Sequence, residues 1–141
     1  MTHDTNSSLD ALVPHREPML FIDRILEANG SEARAEATVK EGPWISGGDP
    51  WQLGLVEGMA QTAAALMSTR LREEGLRVQK GMLVGIRGLQ FRGRIHLADR
   101  VVLQVKLTRR LGPLALALCS AFRGDEVVAQ GELKFFVESC P

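Results

Sequence analysis

The chain has 141 residues, 45% of them hydrophobic, and 17 basic side chains balance 17 acidic ones for a formal net charge of +0. That suits one domain with its own buried core, and it excludes a disordered chain and a strong electrostatic footprint for nucleic acid. The two cysteines, Cys119 and Cys140, lack CxxC spacing, which argues against a disulfide framework or a zinc site.

Residues 1–8 are polar and read as a disordered tail, with nothing like the apolar stretch of a signal peptide. No run approaches a membrane span, so a cytoplasmic protein is expected. Leu9 to Val13 suggests a short helical turn closed by Pro14. Met19 to Glu27 reads as a first strand ended by the Asn29-Gly30 turn. Glu32 to Lys40 alternates Ala33, Ala35, Ala37 and Val39 with polar neighbours, the pattern of a half-buried strand.

After the glycine-rich segment 42–49, Pro50 suits the first turn of a helix and Asp49 can cap it. The helix is expected from Trp51 to Glu74, stopped by Gly75. It is rich in small residues, among them Gly54, Gly58, Ala60, Ala63, Ala64 and Ala65, which let a backbone lie close against a sheet. Its polar end, Arg70 to Glu74, should emerge into water. Four strands follow: Gly81–Leu89, Val101–Thr108, one around Leu114–Leu118, and Val127–Val137. Turns at Leu111-Gly112-Pro113 and Gly124-Asp125 separate the last three. Two strands, one long helix and four strands make an α+β domain over 9–141, with the helix on one face of an antiparallel sheet. Cys119, inside a strand-like run, reads as a small core hydrophobe.

Glu57 interrupts the apolar stretch Leu53-Gly-Leu-Val56 and Met59-Ala60. A carboxylate on an apolar helix face must be paired, hydrogen-bonded or protonated, which makes it a candidate acid–base group. The alternative is a solvated glutamate on the outer face. Gln61 lies one turn on, on the same face, and two polar groups in an apolar patch suggest the lining of a site.

The order of elements and the residues that decorate it resemble the hotdog-fold β-hydroxyacyl-acyl-carrier-protein dehydratases. Leu12-Val-Pro-His-Arg-Glu-Pro-Met-Leu-Phe-Ile-Asp-Arg24 is similar to that family's N-terminal signature, and Glu57-Gly-Met-Ala-Gln61 to its helix motif. Leu89-Gln-Phe-Arg92 and the segment Asp99 to Arg110 follow the pattern of its third and fourth strands. The resemblance implies a long central helix wrapped by an antiparallel sheet. It also implies a homodimer or a higher oligomer of dimers, and an acyl thioester carried on acyl carrier protein or coenzyme A. In that family a loop histidine removes the α-proton while the helix carboxyl helps expel the β-hydroxyl as water.

The loop histidine is missing here. Counting back from Glu57 by the family spacing reaches Gly47, or Asp49-Pro50 if two residues are deleted. The proline–glycine pair ahead of the family helix is replaced by Trp51-Gln52-Leu53-Gly54. A substitute base is therefore needed, and Asp49 and His15 are the candidates. Asp49 is intrinsically the weaker base and doubles as a helix cap. His15 has the alternative of shaping the tunnel mouth. His96 sits in a charged turn with no evident partner, and His3 lies in the tail.

Three functions stay open. One is a dehydratase-like enzyme of fatty-acid or polyene-type synthesis. Another is a hotdog thioesterase using a single carboxylate, Glu57 or Asp49, to activate water. The last is a non-catalytic acyl-binding subunit beside a complete dehydratase. In each, a dimer is expected whose acyl tunnel lies between the long helices, lined by Trp51, Leu53, Gly54, Val56 and Gln61, with Trp44 and Trp51 flanking the loop. No cofactor, metal, nucleic acid or membrane is expected as a partner.

Overall fold

The computed structural model describes residues 9, 11–16, 19–40 and 51–141, without the side chain of Trp51. The tail 1–8, the glycine-rich segment with Trp44, and the cap residues Asp49 and Pro50 lie outside the described residues. Within them, the chain forms β1 (Arg24–Ala28), β2 (Glu32–Thr38), α1 (Trp51–Glu73), β3 (Arg77–Phe91), β4 (Arg100–Leu111), β5 (Leu114–Arg123) and β6 (Glu126–Cys140). The expected order of two strands, a long helix and four strands is present. All strands join one antiparallel sheet in the order β1-β2-β4-β5-β6-β3. The chain thus leaves β2 through the helix, lays β3 at the far edge, and returns to pair β4 with β2. Residues 9, 11 and 12 are helical, as the N-terminal pattern suggested.

Period-2 alternation builds the inner face of the sheet. Ala33, Ala35 and Ala37 of β2 and Val101, Leu103 and Val105 of β4 are all fully buried. Leu55, Met59, Leu66 and Leu71 of α1 close on that face from above. Small residues let the helix come close. A Cβ added at Gly58 would sit 2.5 Å from Leu103 Cδ1 and 2.8 Å from Phe21 Cδ1, and one at Gly54 would sit 2.5 Å from Phe21 Cε2. Alanine has the better helix propensity, but here the overpacking outweighs it. Gly58→Ala should therefore destabilise the protein by about 1–2 kcal/mol in urea denaturation; a gain in stability would show that Phe21 and Leu103 have room to move. Gly75 ends the helix with φ +75°, and the N–H groups of Gly75 and Leu76 return to the carbonyls of Arg72 and Leu71 at 3.0 and 2.8 Å, a left-handed glycine cap.

The first strand is shorter than its apolar pattern predicts. The N–H groups of Met19 and Leu20 turn back to Arg16 O at 2.8 and 2.9 Å, and those of Phe21 and Ile22 go to the side-chain oxygen of Gln61. With their donors spent on a turn and on the helix, residues 19–22 form a docked strap, and pairing begins at Arg24. Asp23 and Arg24 hold the start of the sheet. Asp23 accepts from Thr38 N–H at 2.8 Å and pairs with Lys40 at 2.6 Å, and Arg24 meets Glu36 at 3.3 Å.

Cys119 is fully buried, and burial pushes its thiol far above the ordinary range. Among the described residues, no helix is long and apolar enough to cross a membrane, and no three His, Cys, Asp or Glu side chains gather as a metal site would need.

Candidate active site

Glu57 lies in the second turn of α1 with its side chain 29% exposed. Gln61, one turn on, is fully buried and uses its whole amide. Its nitrogen donates to Glu57 Oε1 at 3.0 Å and to Met19 O at 2.7 Å. Its oxygen accepts from Phe21 N–H at 2.8 Å and, more weakly, from Ile22 N–H at 3.4 Å. A primary amide offers two donors and one oxygen with two lone pairs, so nothing is left over for a ligand. Gln61, expected to touch substrate, instead fixes the Glu57 carboxyl group and ties the 19–22 strap to the helix.

The same strap brings in the segment before it. Ser68 donates to Leu12 O at 3.0 Å and Arg72 to Ala11 O at 2.6 Å, laying residues 11–15 along α1. Arg16 folds the chain with hydrogen bonds to Val13 O and His15 O at 2.8 and 2.9 Å. The result places His15 Nε2 3.6 Å from Glu57 Oε1. The other ring nitrogen, Nδ1, is buried and has no hydrogen-bond partner among the described residues. Imidazole and carboxyl group therefore stand side by side, both partly open to a cavity.

That cavity, about 530 Å³, runs between α1, residues 11–15 and the first half of β3. His15 and Glu57 form part of its wall, and Ala60, Ala63, Ala64 and Met67 continue it along the helix. Phe135 and Val137 of β6 add an apolar side. The volume is in the range of small-molecule sites, and a mostly apolar wall with a few convergent polar groups is their usual chemistry.

The residues expected to line a tunnel between two helices lie outside this cavity. Leu53 is 69% exposed and Gly54 is packed under the Phe21 ring. Val56 packs against the core. Neither these residues nor Gln61 belong to the cavity wall, which lies along the helix after Glu57 rather than before it. A helical repeat carried forward from Glu57 would have found it, since Ala60, Ala64 and Met67 follow at the spacing of one face. The side chain of Trp51 and all of Asp49 lie outside the described residues. His96, expected to lack a partner, has one: its N–H donates to the Asp99 carboxylate at 2.8 Å and its ring lies 3.7 Å away. That backbone hydrogen bond, with Arg123 beside it, holds Asp99 below the ordinary carboxylate range. The cluster fastens a turn remote from the cavity.

Comparison with known proteins follows the same lines. A family model described as ApeP-like, ApeP dehydratase, matches residues 7–139. The chain is 34% identical over 135 residues to the 3-hydroxyacyl-[acyl-carrier-protein] dehydratase FabZ of Bacillus pumilus, covering 89% of this chain and 90% of that one. It is 31% identical over 146 residues to FabZ of Streptococcus thermophilus, covering 99% of this chain and all of that one. Among solved structures, the dehydratase heterocomplex ApeI:P from Xenorhabdus doucetiae superposes with a TM-score of 0.79 at 18% identity, over 92% of this chain and 90% of that chain. With the expected hotdog architecture present and the family match spanning nearly the whole domain, the chain belongs to the ApeP-like dehydratase family.

Proposed function

We propose that this protein dehydrates 3-hydroxyacyl thioesters in a fatty-acid or polyene-type synthesis, with Glu57 and His15 as its acid–base pair. The observation that carries this reading is the 3.6 Å approach of His15 to Glu57 at the wall of an acyl-sized, mostly apolar cavity. The relatives' acyl-carrier-protein substrates point to the same thioester class. His15 Nε2 takes the proton from the substrate α-carbon, and its electron pair forms the double bond to the β-carbon. The C–O bond at the β-carbon breaks, and the hydroxyl leaves as water with a proton from the Glu57 carboxyl group. Proton return from imidazolium to Glu57 resets the pair. The imidazole reaches from the N-terminal segment of the same chain, in place of the absent loop histidine.

A second reading has its own support. No histidine occurs between His15 and His96, so the segment ahead of α1 carries no imidazole, and a structural neighbour is a dehydratase heterocomplex. The chain would then bind acyl thioesters beside a complete dehydratase. One experiment separates the readings: the purified protein is given a 3-hydroxyacyl thioester and a saturated acyl thioester. Enoyl absorbance supports dehydration, release of free thiol supports a thioesterase, and silence with both supports the binding subunit.

The assembly we infer is a dimer or an oligomer of dimers formed through β3. This 15-residue strand is the longer of the two sheet edges, and Met82, Leu83, Val84 and Ile86 are exposed on it. Soluble monomers avoid long apolar edges of this kind. Val84→Lys combined with Ile86→Lys should turn a sedimenting dimer into monomer. A wild-type protein that sediments as monomer would refute the assembly.

A further inference from the structure

The sheet has a second face, turned away from α1. Ala33, Val105, Ala117 and Leu133 are buried in the core beneath the helix, so their neighbours along each strand point outward. Five outward residues stand directly opposite one another in a row across five strands. They are Arg87 of β3, Glu132 of β6, Leu118 of β5, Lys106 of β4 and Glu32 of β2. β5 is the middle strand of the five, and Leu118 on it is 40% exposed. The row therefore runs positive, negative, apolar, positive, negative. Among the described residues, Arg87, Glu132 and Lys106 form no ion pair, although Arg87 and Glu132 are cross-strand neighbours. Glu32 accepts from the Gln104 amide at 2.9 Å. The row on one side is uncharged at its centre, with Gln130, Ser120 and Gln104 in register. The row on the other side has Lys134 and Arg109 flanking Leu116.

Such a row is its own complement. A twofold axis along β5, between two of these faces, sets Glu132 of one chain against Lys106 of the other and Arg87 against Glu32. Leu118 then meets Leu118, and Gln130 falls opposite Gln104. Each unlike pair occurs twice by symmetry. Facing sheets pack about 10 Å apart, a gap that paired lysine, arginine and glutamate side chains can bridge. The Lys134 row opposes the contact, because Lys134 meets Arg109 of the other chain. Two attractive pairs against one repulsive pair give a weak, salt-sensitive association. We propose that the outer face of the sheet is a docking surface for a second copy of this chain, paired about β5. An acidic partner or an anionic surface would meet Lys106, Lys134 and Arg109 but would be repelled by Glu132 and Glu32, whereas a second copy presents both signs in the matching order. The surface lies on the far side of the sheet from the cavity and holds whatever reaction occurs there. It joins the dimers inferred above into dimers of dimers.

Sedimentation of the full chain at low and high salt tests the surface. The wild type should sediment as tetramer at low salt and as the β3 dimer at high salt. Glu132→Lys and Lys106→Glu should each abolish the tetramer, since each sets like charges face to face. The double variant, Glu132→Lys with Lys106→Glu, should restore it, because the reversed pair meets again across the axis. Within one chain these residues are two strands apart, roughly 10 Å, with Leu118 between them, so a contact inside the chain does not account for the rescue. Lys134→Glu should act in the opposite direction. It turns two symmetric repulsions into attractions and should tighten the association roughly tenfold, about threefold at each contact. Thermal melting of every variant keeps a folding defect apart from a lost contact, and the gain in Lys134→Glu cannot arise from misfolding. A wild type with the same mass at both salt concentrations, or a double variant no better associated than the single ones, overturns the proposal. If the wild type passes from dimer at low salt to monomer at high salt, and the reversals abolish and restore that dimer, the β3 assembly is the claim that falls and the outer face stands.

Discussion

Glu57→Gln should lower the rate of enoyl thioester formation by about 10²–10⁴-fold, the range of a single general acid–base group, while the melting temperature moves little. The substitution keeps the size and shape of the side chain and removes its ability to ionise and to donate an acidic proton. The glutamine amide can present its oxygen to Gln61 Nε2, so the 3.0 Å hydrogen bond that fixes position 57 survives. His15→Asn should cost a similar factor. Because the two groups pass one proton between them, the double variant should be hardly worse than either single one, as happens when residues act as a unit. Additive losses would mean that Glu57 and His15 act separately, and near wild-type turnover in Glu57→Gln would remove the carboxyl group from the mechanism.

Gln61→Leu should be the most destabilising single change within the site, at about 2–5 kcal/mol. The leucine is of similar bulk, so the loss comes from polar groups and not from a void. Phe21 N–H and Met19 O lose partners at 2.8 and 2.7 Å, and the weaker bond to Ile22 N–H is lost as well. Each buried group left without a partner costs about 1–3 kcal/mol, against a typical total stability of about 5–15 kcal/mol. Activity should fall beyond what the lost stability explains, because the strap carries the chain that delivers His15 and Glu57 loses its anchor. Gln61→Glu keeps an acceptor for Phe21 N–H but loses the donors to Met19 O and Glu57. It should recover part of the stability and little of the turnover. Urea denaturation with turnover measured well below the transition separates the two effects. A Gln61→Leu protein as stable as wild type would show that the strap is held by packing alone.

Both results bear on how the site is built. Gly54 and Gly58 make room on α1 for the Phe21 ring, and Gln61 satisfies the strap's backbone. Ser68 and Arg72 extend the same attachment to residues 11 and 12. The Glu57-Gly-Met-Ala-Gln61 motif is thus a docking device as much as a chemical one. Its glutamate faces the cavity, and its glutamine faces the protein.

The sequence by itself determined the elements and their order, because each rests on local chemistry. Ala33, Ala35 and Ala37 alternate with polar neighbours and form β2. Asn29-Gly30 and Gly124-Asp125 fall at turns, and Gly75 takes the positive φ that ends α1. The polarity of Glu57 in an apolar stretch marked it as a candidate for the same reason, since an isolated carboxyl group there is costly wherever the chain goes.

Tertiary structure alone decided which groups meet. Residues 19–22 have the apolar pattern of a strand, yet their N–H groups are taken by Arg16 O and Gln61 Oε1, and no local pattern reveals a partner some forty residues away. The same docking brings His15 to Glu57 and sets the cavity on the helix face beyond Glu57. Periodicity fixes which face of an element is apolar, but contact between faces depends on how helix, strap and edge strand satisfy one another's volume and hydrogen bonds.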